Sequence, residues 1–312
     1  MYYKTDRFFG NSNEEMFGEI SYSGTLEGTA VVANKYPHKL IVCENFSGRS
    51  MNGFVMIKEE GASIIGKNKS GLLDGPIFFN ENEGMIIFAV YDRDVVSSPE
   101  IVLHPNHFLI EFKSGGRTID LLYKDYKLFY GVVNSDKTMQ YKTIIDNVDM
   151  NLNFNVSRFA LSDYPFDLKY SSDSRNDYKS CKQTLTTSNP HGYGFVKWED
   201  GEMCISQFYY EDRHGLGCYR WPNGQEYIGQ FSFNKVDGLG VFRRNGMYEL
   251  GVFTSKRKNG VFIEFNSNYL WIRRYRDEVQ YGEEIKVDLH SYTLTYRSAS
   301  GSSKNIYLSE LL

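Results

Sequence analysis

The chain has 312 residues, a formal net charge of -4 and 16% aromatic residues, with 24 Tyr, 22 Phe and 7 Pro. The slight acidic balance excludes a general nucleic-acid binder, which needs a basic excess. Rings in this number with so little proline favour strands over disorder or long helices.

At the N-terminus, Met1-Tyr2-Tyr3-Lys4-Thr5-Asp6-Arg7 lacks the apolar stretch of a signal peptide, and no segment approaches the ~18 apolar residues of a membrane span. The four cysteines, Cys43, Cys181, Cys204 and Cys218, show no CxxC spacing and read as thiols in a reducing compartment. A cytoplasmic location is expected, with peripheral attachment to a membrane or the cytoskeleton open to it. Residues 1–145 carry a faint period: Gly53 and Gly75 are 22 apart, and Gly61 and Gly84 are 23 apart. The segments from Ser23 to Gly28 and from Lys69 to Gly75 read as eroded junctions between repeated units. Tyr130-Gly131-Val132 followed by Met139-Gln140-Tyr141 reads as another. Residues 146–190 have no such echo and are rich in turn formers, as expected of an insertion or linker with short strands near 152–156 and 166–170.

Residues 191–290 are periodic. Gly192, Gly215, Gly238, Gly260 and Gly282 are spaced 23, 23, 22 and 22 residues apart, and Phe208, Phe231, Phe253 and Tyr275 keep the same step. A fixed period in this range marks a repeat protein in which each unit contacts its neighbours. In one unit, Gly215, Gly217, Tyr219 and Trp221 share a face of an extended segment by the period-2 rule. Pro222-Asn223-Gly224 supplies a turn, and Tyr227, Gly229 and Phe231 alternate on the returning strand. Glycines recurring within strands imply that another group packs closely there, here an aromatic ring of the adjacent strand or unit. The predicted fold is all-β: an elongated, twisted, single-layer array of stacked antiparallel β-hairpins. Residues 291–312 form a capping strand and tail, with an alternating strand over 292–296 and a Ser/Gly linker over 298–303.

Tyr227-Ile228-Gly229-Gln230-Phe231 followed by Asp237-Gly238-Leu239-Gly240 resembles the Tyr-x-Gly-x-Phe/Trp…Gly-x-Gly signature of MORN (membrane occupation and recognition nexus) repeats. His214-Gly215-Leu216-Gly217-Cys218-Tyr219 fits the same pattern, as do Gly192, Gly194, Gly251 and Phe253 at their places. The resemblance is clear over about 191–282, with divergent copies in the N-terminal half. It departs where Cys204 and Ser206 replace the Tyr and Gly of one unit, Glu249 the Tyr of another, and Trp271 and Arg273 both in the last. The resemblance implies a non-enzymatic scaffold for protein partners, often at membrane-associated or cytoskeletal assemblies and sometimes homodimeric.

Motifs for chemistry are sparse. The Gly-x-Gly pairs lack the third glycine and following helix of a dinucleotide fingerprint, and no cofactor is expected. His104-Pro105-Asn106-His107 reads as a surface turn; Asp92 and Asp94 are the nearest candidates for completing a metal site. His191 and His214 recur with the glycines, so their reading is structural. The main charge feature is Lys256, Arg257, Lys258, Arg273, Arg274 and Arg276, six basic residues with Glu264 as the one acid between Thr254 and Arg276. They are the candidate patch for an anionic lipid or acidic partner, weighed against solvated charge that protects a sheet edge.

Overall fold

The structure, a computed structural model, describes residues 4–11, 14–20, 23, 25–34, 39–48, 50–59, 62–81, 85–104, 109–114, 117–148, 170–171, 180–184, 192–198, 200–210 and 212–310. The strands expected near 152–156 and 166–169, and His107 and His191, lie outside them. The described residues form two 13-stranded sheets in which strands follow chain order. The first sheet runs from Lys4–Asn11 to Met139–Asp146, the second from Tyr170–Ser171 to Ser303–Tyr307. Every resolved pairing is antiparallel between neighbours, so the all-β array of hairpins is what forms.

Cross-strand register explains the period. Gly192 lies opposite Phe208, Gly215 opposite Phe231, Gly238 opposite Phe253 and Gly260 opposite Tyr275. The residues two further on form a second row, with Gly217 opposite both Ser206 and Gly229, and Gly240 opposite Gly251. The first sheet repeats the device, setting Gly28 opposite Phe46 and Gly131 opposite Tyr141. The two glycine rows meet different needs. Gly215 sits at a register shift between Met203–Tyr209 and Asp212–Arg220, with φ +90°, where an L side chain is strained. Gly251 has no such backbone constraint, but a Cβ there would lie 2.6 Å from the Phe262 ring. One glycine bends the strand; the other makes room for a ring.

The hairpin tips follow a second rule. Arg93–Asp94, Asp125–Tyr126, Phe233–Asn234, Ser255–Lys256 and Asp277–Glu278 all have positive φ at both residues, the type I′ geometry whose twist suits a hairpin. Reciprocal bonds with the preceding hairpin hold three of these tips. Leu73 N donates to Asp94 Oδ1 (2.6 Å), Arg213 N to Asn234 Oδ1 (2.9 Å) and Lys258 N to Glu278 Oε1 (2.9 Å). The amides of Asp94, Asn234 and Glu278 donate back to the carbonyls of the same three residues, at 2.9–3.1 Å. The Pro222–Gly224 turn closes as expected, with Trp221 N donating to Gln225 O at 3.0 Å. The segment read as a Ser/Gly linker is a hairpin turn in which Ser298 N donates to Ser302 O (2.8 Å), and the chain then returns as Ser303–Tyr307.

Two compact units cut across the sheets: Met1–Asn82, Val90–Val95 and Phe159–Val236 form one, and Glu83–Ala89, Val96–Arg158 and Asp237–Leu312 the other. Each contains strands of both sheets, laid one against the other. In unit 1, Lys67 and Arg220 both lie over the Phe54 ring, at 5.0 and 5.2 Å, and pair with Glu226 and Glu44 respectively. In unit 2, Phe88 and Phe112 meet Phe265 edge-on, and Tyr248 stacks on Phe265 at 5.2 Å. The second layer covers the face that a single layer leaves bare. It also explains the unbroken burial of Met203–Phe208 and Glu226–Phe231, which alternation alone does not produce.

Gly215→Ala is expected to cost about 1–3 kcal/mol in urea unfolding, because the added Cβ combines a strained φ with a contact 2.0 Å from Gln207 Oε1. A cost within error of zero would remove the reason for this glycine.

Candidate functional site

In unit 1 the repeat signature builds an aromatic surface at the hairpin ends. Tyr227 and Phe231 are buried and meet edge-on at 5.2 Å, while Tyr219 contacts Trp221 at 4.6 Å and Trp198 at 5.8 Å. The Arg213 guanidinium lies over Tyr219 (4.5 Å) and Phe231 (5.5 Å) and bonds Asn234 in the next tip. Beyond this packed spine, a strip of rings faces outward. Tyr210 touches Tyr209 at 4.5 Å, Tyr209 lies 5.9 Å from His214, and His214 meets Phe233 at 5.1 Å. Tyr210 and Phe233 are 61% and 59% exposed, an unfavourable place for rings unless something covers them. His214 is thus a packing residue of the strip, and its Nδ1 has no hydrogen-bond partner.

In unit 2 two of the slots that depart from the signature, those of Glu249 and Arg273, are filled by charge. Arg244, Glu249, Lys258, Glu264, Arg273, Glu284 and Arg297 form a ladder of alternating sign across consecutive strands. Arg244 grips Glu249 with two bonds (3.0 and 2.6 Å), and Lys258 Nζ reaches Glu249 (3.2 Å) and Glu264 (2.5 Å). Arg273 bridges Glu264 and Glu284 at 2.7 Å each, and Arg297 closes on Glu284 at 3.2 Å. The Tyr275 hydroxyl also donates to Glu264 (2.7 Å). Burial would raise the Glu264 carboxyl, but Lys258, Tyr275 and Arg273 hold it below its ordinary value. Glu284 is likewise held down against burial by Arg273, Gln280 and Arg297. Burial, aided by Glu264, pushes the Tyr275 hydroxyl well up, so it stays a donor.

This ladder divides the six-residue basic patch. Lys258 is 5% exposed and Arg273 is half-buried, and both are spent on carboxylates. Lys256 and Arg257 stand at an exposed tip, Arg257 within 3.8 Å of Asp277, while Arg274 and Arg276 lie over the Tyr281 ring at 5.3 and 5.0 Å. Glu249 and Glu284, which lie outside the Thr254–Arg276 window of the patch, are partners that its charge count alone did not reveal. The available signal was the replacement of Tyr by Glu249 and of Gly by Arg273 in register-matched slots.

Elsewhere, His104 Nε2 bonds Glu111 Oε1 at 3.0 Å, so this ring of the His104–His107 pair is committed within the sheet. Among the described residues no group of three or more His, Cys, Asp or Glu could hold a metal ion. No helix there is long and apolar enough to cross a membrane.

Consecutive antiparallel hairpins with a glycine set opposite a ring in each unit define a β-hairpin repeat protein. The family model of the MORN repeat matches residues 189–203, 208–226 and 227–248, and the chain carries MORN repeats there. These segments all lie in the C-terminal half; the divergent N-terminal copies rest on register alone. No curated protein matches the chain. Two solved structures are similar at low identity. The G-box domain of the microcephaly protein CPAP, from an analysis suggesting a role in centriole elongation, is 7% identical. It covers 82% of this chain and 99% of its own, with a TM-score of 0.19. The wild-type TCP10 domain of Danio rerio CPAP, in complex with a peptide of Danio rerio STIL, is 8% identical. That match covers 93% of this chain and 98% of the other, with a TM-score of 0.18. At such scores neither likeness carries an argument.

Lys258→Met is expected to destabilise by about 1.5–3 kcal/mol, since Glu249 and Glu264 each lose one charged partner while Arg244 and Arg273 still hold them. The depressed Glu264 and Glu284 contribute stability above their ordinary value of 4.5, lost as pH falls through their lower folded values. Melting curves from pH 7 to 3 should show this loss in the wild type and a smaller one in Glu264→Gln.

Proposed function

We propose that this protein is a non-enzymatic repeat scaffold that binds a protein partner through the aromatic strip of its MORN repeats. The carrying observation is the outward run Tyr210, Tyr209, His214 and Phe233, whose two end rings are more than half exposed. Rings fixed on rigid hairpins lose little entropy on binding, which suits them as anchors. Arg213 lies over the buried Phe231 ring and bonds Asn234 beside Phe233, which ties this end of the strip to the packed spine before any partner arrives. A cytoplasmic site of action and a homodimer both accord with this reading.

A second reading is contact with anionic lipid, supported by Lys256 and Arg257 at an exposed tip and by Arg274 and Arg276 over Tyr281. Lys258 and Arg273 are committed inside the ladder, and Arg257 lies 3.8 Å from Asp277, so this role falls mainly to the exposed tip and Arg276. At about 1 kcal/mol per cation near a charged leaflet, the hold would be modest and salt-sensitive.

The test is affinity capture from cytosolic and membrane fractions with the wild type and with Tyr210→Ser/Phe233→Ser. The double variant should lose its captured protein by at least about tenfold, as for anchor residues worth above 1 kcal/mol, while its melting temperature stays put. Undiminished capture by the double variant, with loss on changing Lys256, Arg257, Arg274 and Arg276 to glutamine, would shift the reading to lipid or an acidic partner.

A further inference from the structure

On one face of the first sheet in unit 2, neighbouring strands contribute to a single row. Glu111 lies opposite Asp120, and Gly131 lies opposite Tyr141. Asp120 and Gly131 adjoin, since a Cβ on Gly131 would sit 2.5 Å from that of Asp120. Asp120 is 5% exposed, and its Oδ1 has no hydrogen-bond partner. An acceptor buried in this way is costly and calls for a donor. The basic groups nearby are engaged elsewhere. His104 bonds Glu111 (3.0 Å), and Lys113 pairs with Glu100 (2.6 Å) and stands 3.7 Å from Glu111.

Toward the other side the row is bounded differently. The space over Gly131 is filled by Asp120, whose Oδ2 lies 3.1 Å from where a Cβ would be, and by the Met139 Sδ, also at 3.1 Å, so the thioether is the movable group of this wall. Met139 and Tyr141 are 42% and 36% exposed, so the groups roofing Asp120 are at the surface. Methionine is unbranched and rotates readily, so it can yield to an entering chain. Among the described residues their strand, Met139–Asp146, is the last of its sheet. Burial raises the Asp120 carboxyl to about 6; Glu111 adds to this, and His104 and Lys113 oppose it. Tyr130 and Tyr141, both raised by burial and by Asp120, are the remaining titratable neighbours and stay neutral.

We propose that this row is a notch for one basic side chain, lysine or arginine, carried by a protein partner. The cation would supply the donor that Asp120 Oδ1 lacks and offset the like charge of Glu111. Its stem would take the place that the Met139 thioether now holds over Gly131, beside the Tyr141 ring, where a guanidinium also gains from the ring face. That the side chain belongs to a protein rests on the scaffold reading; the notch is remote in sequence from Tyr210 and Phe233 and is tested without them.

The full chain is titrated with N-acetyl-arginine amide and with its neutral isostere N-acetyl-citrulline amide, following NMR shifts of Gly131 and Tyr141. At about pH 7.5 the arginine probe should move both signals and the citrulline probe neither. At about pH 5 affinity should fall about tenfold, since a carboxyl titrating near 6 is then mostly protonated. Asp120→Asn, near-isosteric and with its fold checked by thermal melting, should abolish the response. Should that variant not fold, Tyr141→Ser, altered at an exposed ring, should weaken it. Equal shifts from citrulline, no shift from either probe, or full binding by Asp120→Asn or by Tyr141→Ser would overturn the proposal.

Discussion

The structure depends on one cross-strand pairing: a glycine on one strand directly opposite an aromatic ring on the next. Gly215 with Phe231, Gly238 with Phe253 and Gly260 with Tyr275 fix both the register and the period. A strand slipped by one residue would exchange its two faces, turning rings outward and charges inward. The positive φ at the first glycine of each pair lets the strand bend where the register shifts. Spacing, bending and ring burial are therefore one constraint expressed three ways.

That constraint leaves the adjacent slots free to vary, and the two units use them differently. In unit 1, Tyr219 and Tyr227 face each other across strands and pack with Trp221 and Phe231. In unit 2, Glu249 lies opposite Glu264, two like charges that direct pairing would make repulsive. Lys258 sits between them and bonds both, and Arg273 takes the remaining oxygen of Glu264. Buried ions contribute specificity more reliably than net stability, and here they tie the strand register to a single arrangement of charges.

Much of the second sheet was legible because its determinants are local or periodic. The glycine–ring period and the Pro222–Gly224 turn follow from residue types that few other conformations suit. The tips were harder to read. Phe233–Asn234 and Ser255–Lys256 lack the Asn-Gly pattern of a type I′ turn, and Asn234 is held by Arg213, 21 residues earlier. The division of the basic residues was signalled only by Glu249 and Arg273 in slots where the signature has Tyr and Gly. Lys256 stands in the tip turn and Lys258 on the strand that follows, and which charges that strand meets depends on a register set by bulges. The second layer was hidden for a similar reason. Period identifies which residues share a face but not which faces meet, so the Phe54 ion cluster and the Phe88–Phe265 contact have no sequence signature. The strip at Tyr210 and Phe233 was within reach, since two rings at consecutive tips repeat with the period.

The pairing itself can be observed most directly by NMR of the full chain, with glycine and aromatic residues selectively labelled. Short Hα–Hα or Hα–ring contacts are expected between Gly215 and Phe231, Gly238 and Phe253, and Gly260 and Tyr275, with the same pattern in all three. Contacts displaced by one residue, or present in one pair and absent from the others, would contradict a common register and the account built on it.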